Sequence, residues 1–260
     1  MFYQRQPDKA VYFRMYRKPW NAIGTHLHGF FELHCCTGGQ LRITVDDREY
    51  VLTAGEAVLV FPYQRHSFPK REGQGYFFTF APELIGTFAA RFSNYLPKQN
   101  RFFFSYDFNS LSEESDVYAI KAFLYAMCSR ACLLAFEPVP VEGRALLEKI
   151  FLLTEEHFTE ADFSLAKLAT LLDYDYSYIS KFFLTKTGMR YSFYLNQRRT
   201  DYGAWLLRTG KLDNIADASF ACGYSSIRSF NRNFKRIENC TPTGCVASAA
   251  AAEKRKSPKV

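Results

Sequence analysis

Three absences bound what this 260-residue chain can be. Its cysteines form no CxxC pair, and none has a histidine at zinc-finger spacing. The seven, Cys35, Cys36, Cys128, Cys132, Cys222, Cys240 and Cys245, are an odd number, which argues against a disulfide framework and for reduced thiols in a cytoplasm. No 18 apolar residues run uninterrupted, and the stretch FYQRQPDKAVYFRMYRK after Met1 has no continuous apolar core, so neither a membrane span nor a secretory signal is expected. Glycine and proline are sparse, at 14 and 10, which excludes collagen-like and low-complexity chains. What remains, 48% hydrophobic and 23% charged, suffices for a sizeable core and, at this length, for two domains.

The formal net charge of +7 is unevenly placed. Residues 1–142 carry 15 basic and 14 acidic side chains, whereas 143–260 carry 18 and 12, and within 176–236 there are 11 basic against 3 acidic. A single basic segment of this kind is what a nucleic-acid-binding domain requires.

From about residue 11 to 80, short runs rich in β-branched and aromatic residues alternate with turn residues. In QLRITVDDREYVL, Leu41, Ile43 and Val45 alternate with polar neighbours, Asp46 and Asp47 turn the chain, and Tyr50 and Leu52 resume the alternation, which reads as a hairpin with one buried face. Gly55 and Glu56 make a second turn before AVLVF, and GYFFTFAP supplies another strand. Several antiparallel strands at this spacing predict a sandwich or small barrel. After residue 110 the period changes to that of a helix, with Val117, Ile120, Leu124, Met127, Ala131 and Leu134 on one stripe. That stripe is either a dimer seam or a face packed on its own barrel. Pro138 and Pro140 end it and mark a domain boundary, beyond which the pattern is helical throughout.

Two segments of the helical part share one logic. In FSLAKLATLLDYDYSYISKFFLTKTG, Leu165, Leu168, Ala169 and Leu172 form a buried face, a tight break follows at 173–175, and Asp175 caps a second helix carrying Ile179, Phe182 and Phe183 inward. In LDNIADASFACGYSSIRSFNRNFKRIEN, Ile215, Ala216, Ala218 and Ser219 form the first helix, Gly223 breaks it, and Ser225 or Ser226 caps a helix with Ile227, Phe230 and Phe234 inward. These are two helix-turn-helix units, whose second helices suit the DNA major groove. The helix between them, with Tyr194, Leu195, Trp205 and Leu206 as its apolar positions, would set their separation. Outward on the first recognition helix are Tyr176, Ser177, Ser180 and Lys181; outward on the second are Ser226, Arg228, Asn231 and Arg232. Arginine bonds bidentately to guanine and asparagine to adenine, so the second helix is the richer base reader.

IADASFACGYSSIRSFNRNFKRIENCTP, with YLNQRR at 194–199, resembles the signature of the AraC/XylS family of bacterial transcription regulators. The resemblance covers roughly 143–246, with Ile215, Ala216, Gly223, Tyr224, Phe230, Arg232, Phe234, Lys235 and Pro242 in register. It implies a sequence-specific transcription regulator, such as an activator, bound upstream of promoters. Its base-contacting residues are then Ser177, Ser180 and Lys181, followed by Ile227, Arg228, Asn231 and Arg232, with Ile227 against a thymine methyl. Asp173 and Asn239 stand where the family usually has glycine, and both tolerate a left-handed backbone.

In the β part, His26, His28 and Glu32 form HxHxxxE, Gly39 follows at the spacing of the first cupin motif, and Pro62 and His66 in PYQRH resemble the second. Departures are the lack of glycine between Pro62 and His66, and Lys70 where the cupin pattern has asparagine. His26 and His28 share one face of a strand. Three readings stay open for His26, His28, Glu32 and His66: an effector pocket, a three-histidine, one-carboxylate divalent metal site, and structural hydrogen bonding. The first is preferred, with no metal or other cofactor, because effector domains of AraC-type regulators show similar residues while binding small organic effectors. The rival is a metal-dependent cupin enzyme, a dioxygenase or sugar isomerase. A fused helix-turn-helix pair is hard to explain in a freestanding catalyst, so no enzyme and no catalytic residues are expected. His34 and His157 read as packed or surface residues, and Phe102, Phe103, Phe104, Tyr106 and Phe108 as core or interface.

The expected architecture is therefore α+β. A cupin-like antiparallel β-barrel of the jelly-roll type, about 8–108, senses an effector for which a carbohydrate is the family-level analogy. A helical connector at 109–142 is a possible dimerisation element, an all-α double helix-turn-helix domain spans 143–246, and a basic disordered tail spans 247–260. Expected partners are promoter DNA, a small-molecule effector, a second copy of the chain and RNA polymerase, in the cytoplasm and with no membrane.

Overall fold

Side-chain alternation along short strands builds the first half of the molecule. The computed structural model describes residues 2–3, 12–17, 22–69, 73–139, 141–212 and 214–245, and the chain divides into two compact units, Met1–Arg144 and Ala145–Val260. Lys70 and the 247–260 tail lie outside the described residues. The strands up to the first helix are β1 (Phe2–Tyr3), β2 (Phe13–Tyr16), β3 (Ile23–Leu27), β4 (Phe31–Gly38), β5 (Leu41–Val45), β6 (Arg48–Leu52), β7 (Glu56–Val60), β8 (His66–Phe68) and β9 (Gln74–Phe80). After α1 (Gly86–Arg91) come β10 (Tyr95–Pro97), β11 (Arg101–Phe103), α2 (Val117–Ala131) and β12 (Phe136–Pro138).

Two five-stranded sheets result, ordered β1-β3-β8-β5-β6 and β11-β7-β4-β9-β2. The pairings are antiparallel except for β1 on β3, which is parallel. Asp46 and Asp47 both take positive φ between β5 and β6, the two-residue hairpin turn whose twist suits its strands. Gly55 turns the chain at φ 86°, and Glu56 already begins β7 rather than belonging to the turn. Pro138 does not simply end a helix either, because β12 pairs with β10.

β4 is the pivot, paired with β7 on one side and β9 on the other. Phe31, Leu33 and Cys35 point to the face covered by α2, where they join Leu59, Phe78, Phe80, Phe123 and Leu124 in one core. Glu32, His34 and Cys36 point the other way, between the sheets, where Cys36 meets Ile43, Leu52, Val58 and Val60. Of the helical stripe, Ile120, Leu124, Met127 and Ala131 are buried against the molecule's own barrel, Leu134 packs beside them, and Val117 is exposed. The stripe is thus used up within the unit and is not a dimer seam. Phe102, Phe104 and Phe108 are core, while Phe103 is exposed.

The second unit is helical: α3 (Val141–His157) enters it, followed by α4 (Leu165–Leu172), α5 (Tyr176–Thr187), α6 (Tyr191–Arg208), α7 (Ile215–Ala221) and α8 (Ile227–Glu238). α4 is capped by Ser164, α5 by Asp175, α7 by Asn214 and α8 by Ser226. Gly203 lets α6 approach α8 closely, since a Cβ there would lie 2.8 Å from the Phe230 ring. Trp205, one of the apolar positions of α6, is exposed and stacks on Tyr202 under the Lys211 ammonium.

Burial of α2 against the barrel has a measurable outcome. Leu124→Ala should cost about 2–5 kcal/mol in urea unfolding, whereas Tyr118→Ala, at a side chain 82% exposed on the opposite face, should change stability by less than about 0.5 kcal/mol. Equal losses at both positions would contradict this packing.

Candidate functional sites

The interior between the sheets holds an unusual polar cluster. Glu32, His26, His28, His34 and His66 are each about 1% exposed. Strand pairing places His26 directly opposite His66, with their ring centroids 4.1 Å apart, and β4 delivers Glu32 from the other sheet. The ligand atoms of His26, His28, Glu32 and His66 all lie within 4.8 Å of one another. His26 and His28 were expected on one strand face, but β3 ends at Leu27 and His28 lies just beyond it; their ring centroids are 5.8 Å apart.

Hydrogen bonds fix the role of each ring. His26 Nδ1 lies 3.0 Å from the Gly24 carbonyl oxygen and His66 Nδ1 lies 2.9 Å from that of Gln64, so in both rings Nδ1–H donates to backbone. His28 is the reverse, since its Nδ1 accepts from the Phe30 N–H at 3.3 Å and its Nε2 donates to Glu32 Oε1 at 2.7 Å. His34 Nε2 reaches Glu32 Oε2 at 3.1 Å. His66 Nε2 lies 3.1 Å from the same oxygen, within ion-pair reach but off-line for donation. His34 was read only as packed or surface; its spacing of two from Glu32 on a strand was the available signal.

The electrostatics follow from burial. Desolvation works against the Glu32 carboxylate, but His66 and His28 outweigh it and hold the group well below its usual range. Desolvation likewise opposes charge on His66, and Glu32 outweighs it and raises the pKa. At His26 desolvation together with neighbouring His66 outweighs the opposing pull of Glu32 and of the Gly24 carbonyl, and lowers the pKa to about 3. Glu32 and His66 thus favour each other's charged forms, and His26 is kept neutral beside them.

The loop that presents His66 is itself built of buried polar contacts. Gln64 Oε1 accepts from Phe61 N and from Asn100 Nδ2, while Gln64 Nε2 donates to Asp46. Tyr63 takes φ 67° and donates its N–H to the His28 carbonyl at 2.8 Å. This turn therefore uses the left-handed conformation although it has no glycine, a strain of about 1–2 kcal/mol.

In the helical unit α5 and α8 each follow a short turn. Asp173 ends α4 at φ 57° and Asn239 ends α8 at φ 58°, the left-handed positions where glycine is usual. Ser177, Lys181, Ile227, Arg228, Asn231 and Arg232 are exposed and Ser180 is partly so; Tyr176 and Tyr178 add aromatic surface to α5. Not all of the basic segment faces solvent. Arg198 is buried, with Nε and Nη2 on the Glu155 carboxylate at 2.5 and 2.9 Å. Arg199 is also buried, donating to the carbonyls of Phe158, Glu160 and Phe163 ahead of α4. Arg208 pairs with Glu238. Tyr224, in the second turn, donates to the Asn196 carbonyl and meets Thr200 Oγ1, which ties that turn to α6.

Residues 9–129 match the family model of an AraC-like ligand binding domain, and 168–246 that of a helix-turn-helix domain. An uncharacterized HTH-type transcriptional regulator from Staphylococcus aureus is 36% identical over 88 residues, 34% of this chain, and the match spans only 12% of that protein's length. Two crystal structures of ToxT from Vibrio cholerae share the fold. An apo variant is 14% identical with a TM-score of 0.56, covering 93% of this chain and 98% of that one. An unsaturated fatty acid bound form is 15% identical with a TM-score of 0.56, covering 94% and 97%. The chain belongs to the AraC family of DNA-binding transcription regulators, with its ligand-binding domain N-terminal to its helix-turn-helix domain. No helix among the described residues is long and apolar enough to cross a membrane.

The lowered pKa of His26 makes a pH prediction. The unfolded chain binds a proton at this residue below pH 6.5 while the folded barrel refuses it until about pH 3, so stability present above 6.5 is lost as pH falls through that window. Between pH 6.5 and 4.5, chelator-treated wild type should lose up to about 1.4 kcal/mol per pH unit more than His26→Gln in denaturant titrations. Parallel pH profiles for the two proteins would refute the burial of a neutral His26.

Proposed function

We propose that this protein binds promoter DNA sequence-specifically through α5 and α8, and that a small molecule taken up by the N-terminal barrel sets that binding. The observation that carries the reading is the pair of capped helices, each after a short turn and each with its polar side chains outward. Arg228, Asn231 and Arg232 supply base-edge donors and acceptors, Ile227 an apolar contact, and Ser177, Ser180 and Lys181 shape fit and phosphate contacts. The Tyr176 and Tyr178 phenols add further phosphate donors.

The division of labour we assign is sensing by 8–108, coupling by 109–142 and DNA binding by 143–246. His26, His28, Glu32 and His66 form the polar floor of the sensing site. Ligand binding can change DNA affinity only by as much as the ligand prefers one arrangement of the protein over another. The protein acts as a homodimer in the cytoplasm, with RNA polymerase as its partner at the promoter. A dimer uses a surface other than the Ile120–Leu124–Met127 face, which the barrel occupies.

Selection from a random duplex library with the purified protein tests the DNA reading. Wild type should enrich a defined motif, and Arg228→Ala and Arg232→Ala should each weaken the selected site by about 1–3 kcal/mol and relax its sequence at one position. Lys181→Ala should weaken all sequences alike. Enrichment of the same motif with unchanged affinity by Arg228→Ala/Arg232→Ala would remove α8 as the reader.

A further inference from the structure

We propose that Cys240 and Cys245 are a redox-responsive pair, which a hydroperoxide closes into a reversible intramolecular disulfide that braces the C-terminal end of α8. The inference concerns these two thiols alone and stands whether or not α5 and α8 read DNA.

The pairing is written into the local sequence. Asn239 ends α8 in the left-handed conformation, and the chain then enters a helical turn at 242–245. Thr241 caps that turn, its Oγ1 accepting from the Gly244 N–H at 3.1 Å and its carbonyl from the Cys245 N–H at 2.9 Å. Cys240 is therefore the residue before the cap and Cys245 the fourth inside it, the two positions whose side chains meet across a helix start. Apolar side chains commonly fill these positions, and here both are thiols. The two thiols are hydrogen-bonded to each other, and Cys240 packs on the cluster that contains Cys245, Phe230 and Phe234.

A third group holds the pair. Arg208, the last residue of α6, donates from Nε to Cys245 Sγ at 3.0 Å and from Nη2 to the Glu238 carboxylate. One guanidinium thus joins the end of α6, the end of α8 and the turn that carries the second thiol. Desolvation and the neighbouring Cys245 sulfur push the Cys240 thiol up, so this group keeps its proton at neutral pH. Other cysteines are not arranged in this way. Cys35 and Cys36 are adjacent on β4 and point to opposite faces of the sheet. Cys128 and Cys132 stand one helical turn apart, a spacing that sets Cβ atoms about 5–6 Å from each other where a disulfide needs about 3.5–4.5 Å. Cys222 is buried and donates to the Ser219 carbonyl.

Closure is a two-electron oxidation. One sulfur attacks the hydroperoxide, the O–O bond breaks, and a sulfenic acid forms with release of an alcohol, or of water from hydrogen peroxide. The second thiol displaces the sulfenic hydroxyl as water, and the S–S bond forms. The two sulfurs together give up two electrons, and the peroxide oxygens take these along with both thiol protons. Exchange with an external dithiol reopens the bond. Cross-linking 240 to 245 removes freedom from the unfolded chain, so the closed form is the more stable one.

Full-length protein, reduced and freed of reductant, supplies the test. It is treated with hydrogen peroxide, quenched in acid, alkylated with N-ethylmaleimide while unfolded, and digested with trypsin. Cleavage after Arg236 and Lys254 leaves both thiols on one peptide, so its mass reports their state directly. After peroxide the doubly alkylated peptide should give way to one that carries no maleimide and is lighter by two hydrogens, and dithiothreitol should restore the first. Thermal unfolding should show a higher melting temperature for the closed form, and no such rise in Cys240→Ser or Cys245→Ser. Peroxide doses that oxidise Cys35, Cys128 or Cys222 while this peptide stays doubly alkylated overturn the proposal. So does conversion of the pair to sulfinic acids without a disulfide, or a bond between two chains on a non-reducing gel. A closed form that melts lower than the reduced protein overturns the bracing of α8. These readings come from wild type, which decides alone where a variant fails to fold.

Discussion

A carboxylate taken out of water is tolerated only beside a compensating charge and enough donors, and the first unit is arranged around that demand at Glu32. Glu32 sits on the strand with neighbours on both sides, facing the interior between the sheets. The β3–β8 register that places His26 against His66 also brings the His66 ring to it. The turn at Tyr63 and the Gln64–Asn100–Asp46 contacts hold the loop that carries His66. A one-residue slip of β4 would turn Glu32 toward the core beneath α2, where Phe78 and Phe123 lie. One charge thereby selects the register of three strands.

The helical unit applies the same rule with the opposite sign. Arg198 and Arg199 are adjacent on α6 and buried, one clamped to Glu155 of α3 and the other to three carbonyls ahead of α4. Their five-donor guanidinium heads can satisfy several acceptors at once, which suits them to holding a helix junction. Tyr224 performs the corresponding task for the second turn. α6 is accordingly a splint that positions both short helix pairs.

What could be read from the sequence was local. The aspartate pair at 46 and 47 announced a hairpin, Asp175 and the Ser225–Ser226 pair announced helix starts, with Ser226 the cap in the structure, and Asp173 and Asn239 were recognisable as left-handed residues in place of glycine. The four residues His26, His28, Glu32 and His66 were legible as a set through their resemblance to the two cupin motifs, and the structure brings them together. Illegible features depended on partners distant in the chain. Nothing in the period of Ile120, Leu124 and Met127 says which surface they cover, and the barrel turned out to be that surface. Trp205 lies outward because Tyr202 and Lys211 accommodate it there. Buried arginines look like any other basic residues until their acceptors are known.

Those arginines change how the basic character of the helical unit should be understood. A duplex binds a protein partly by shedding condensed counterions, and the number shed follows the cations that reach phosphates, not those counted along the chain. Arg198 and Arg199 reach carboxylate and carbonyl oxygens inside the fold, and Arg208 is engaged with Glu238. Each cation withdrawn in this way lowers the steepness of the logarithmic dependence of DNA affinity on salt by roughly 0.9. The regulator should therefore hold its DNA across a wider range of ionic strength than its formal charge suggests, with more of its binding free energy resting on fit to the bases.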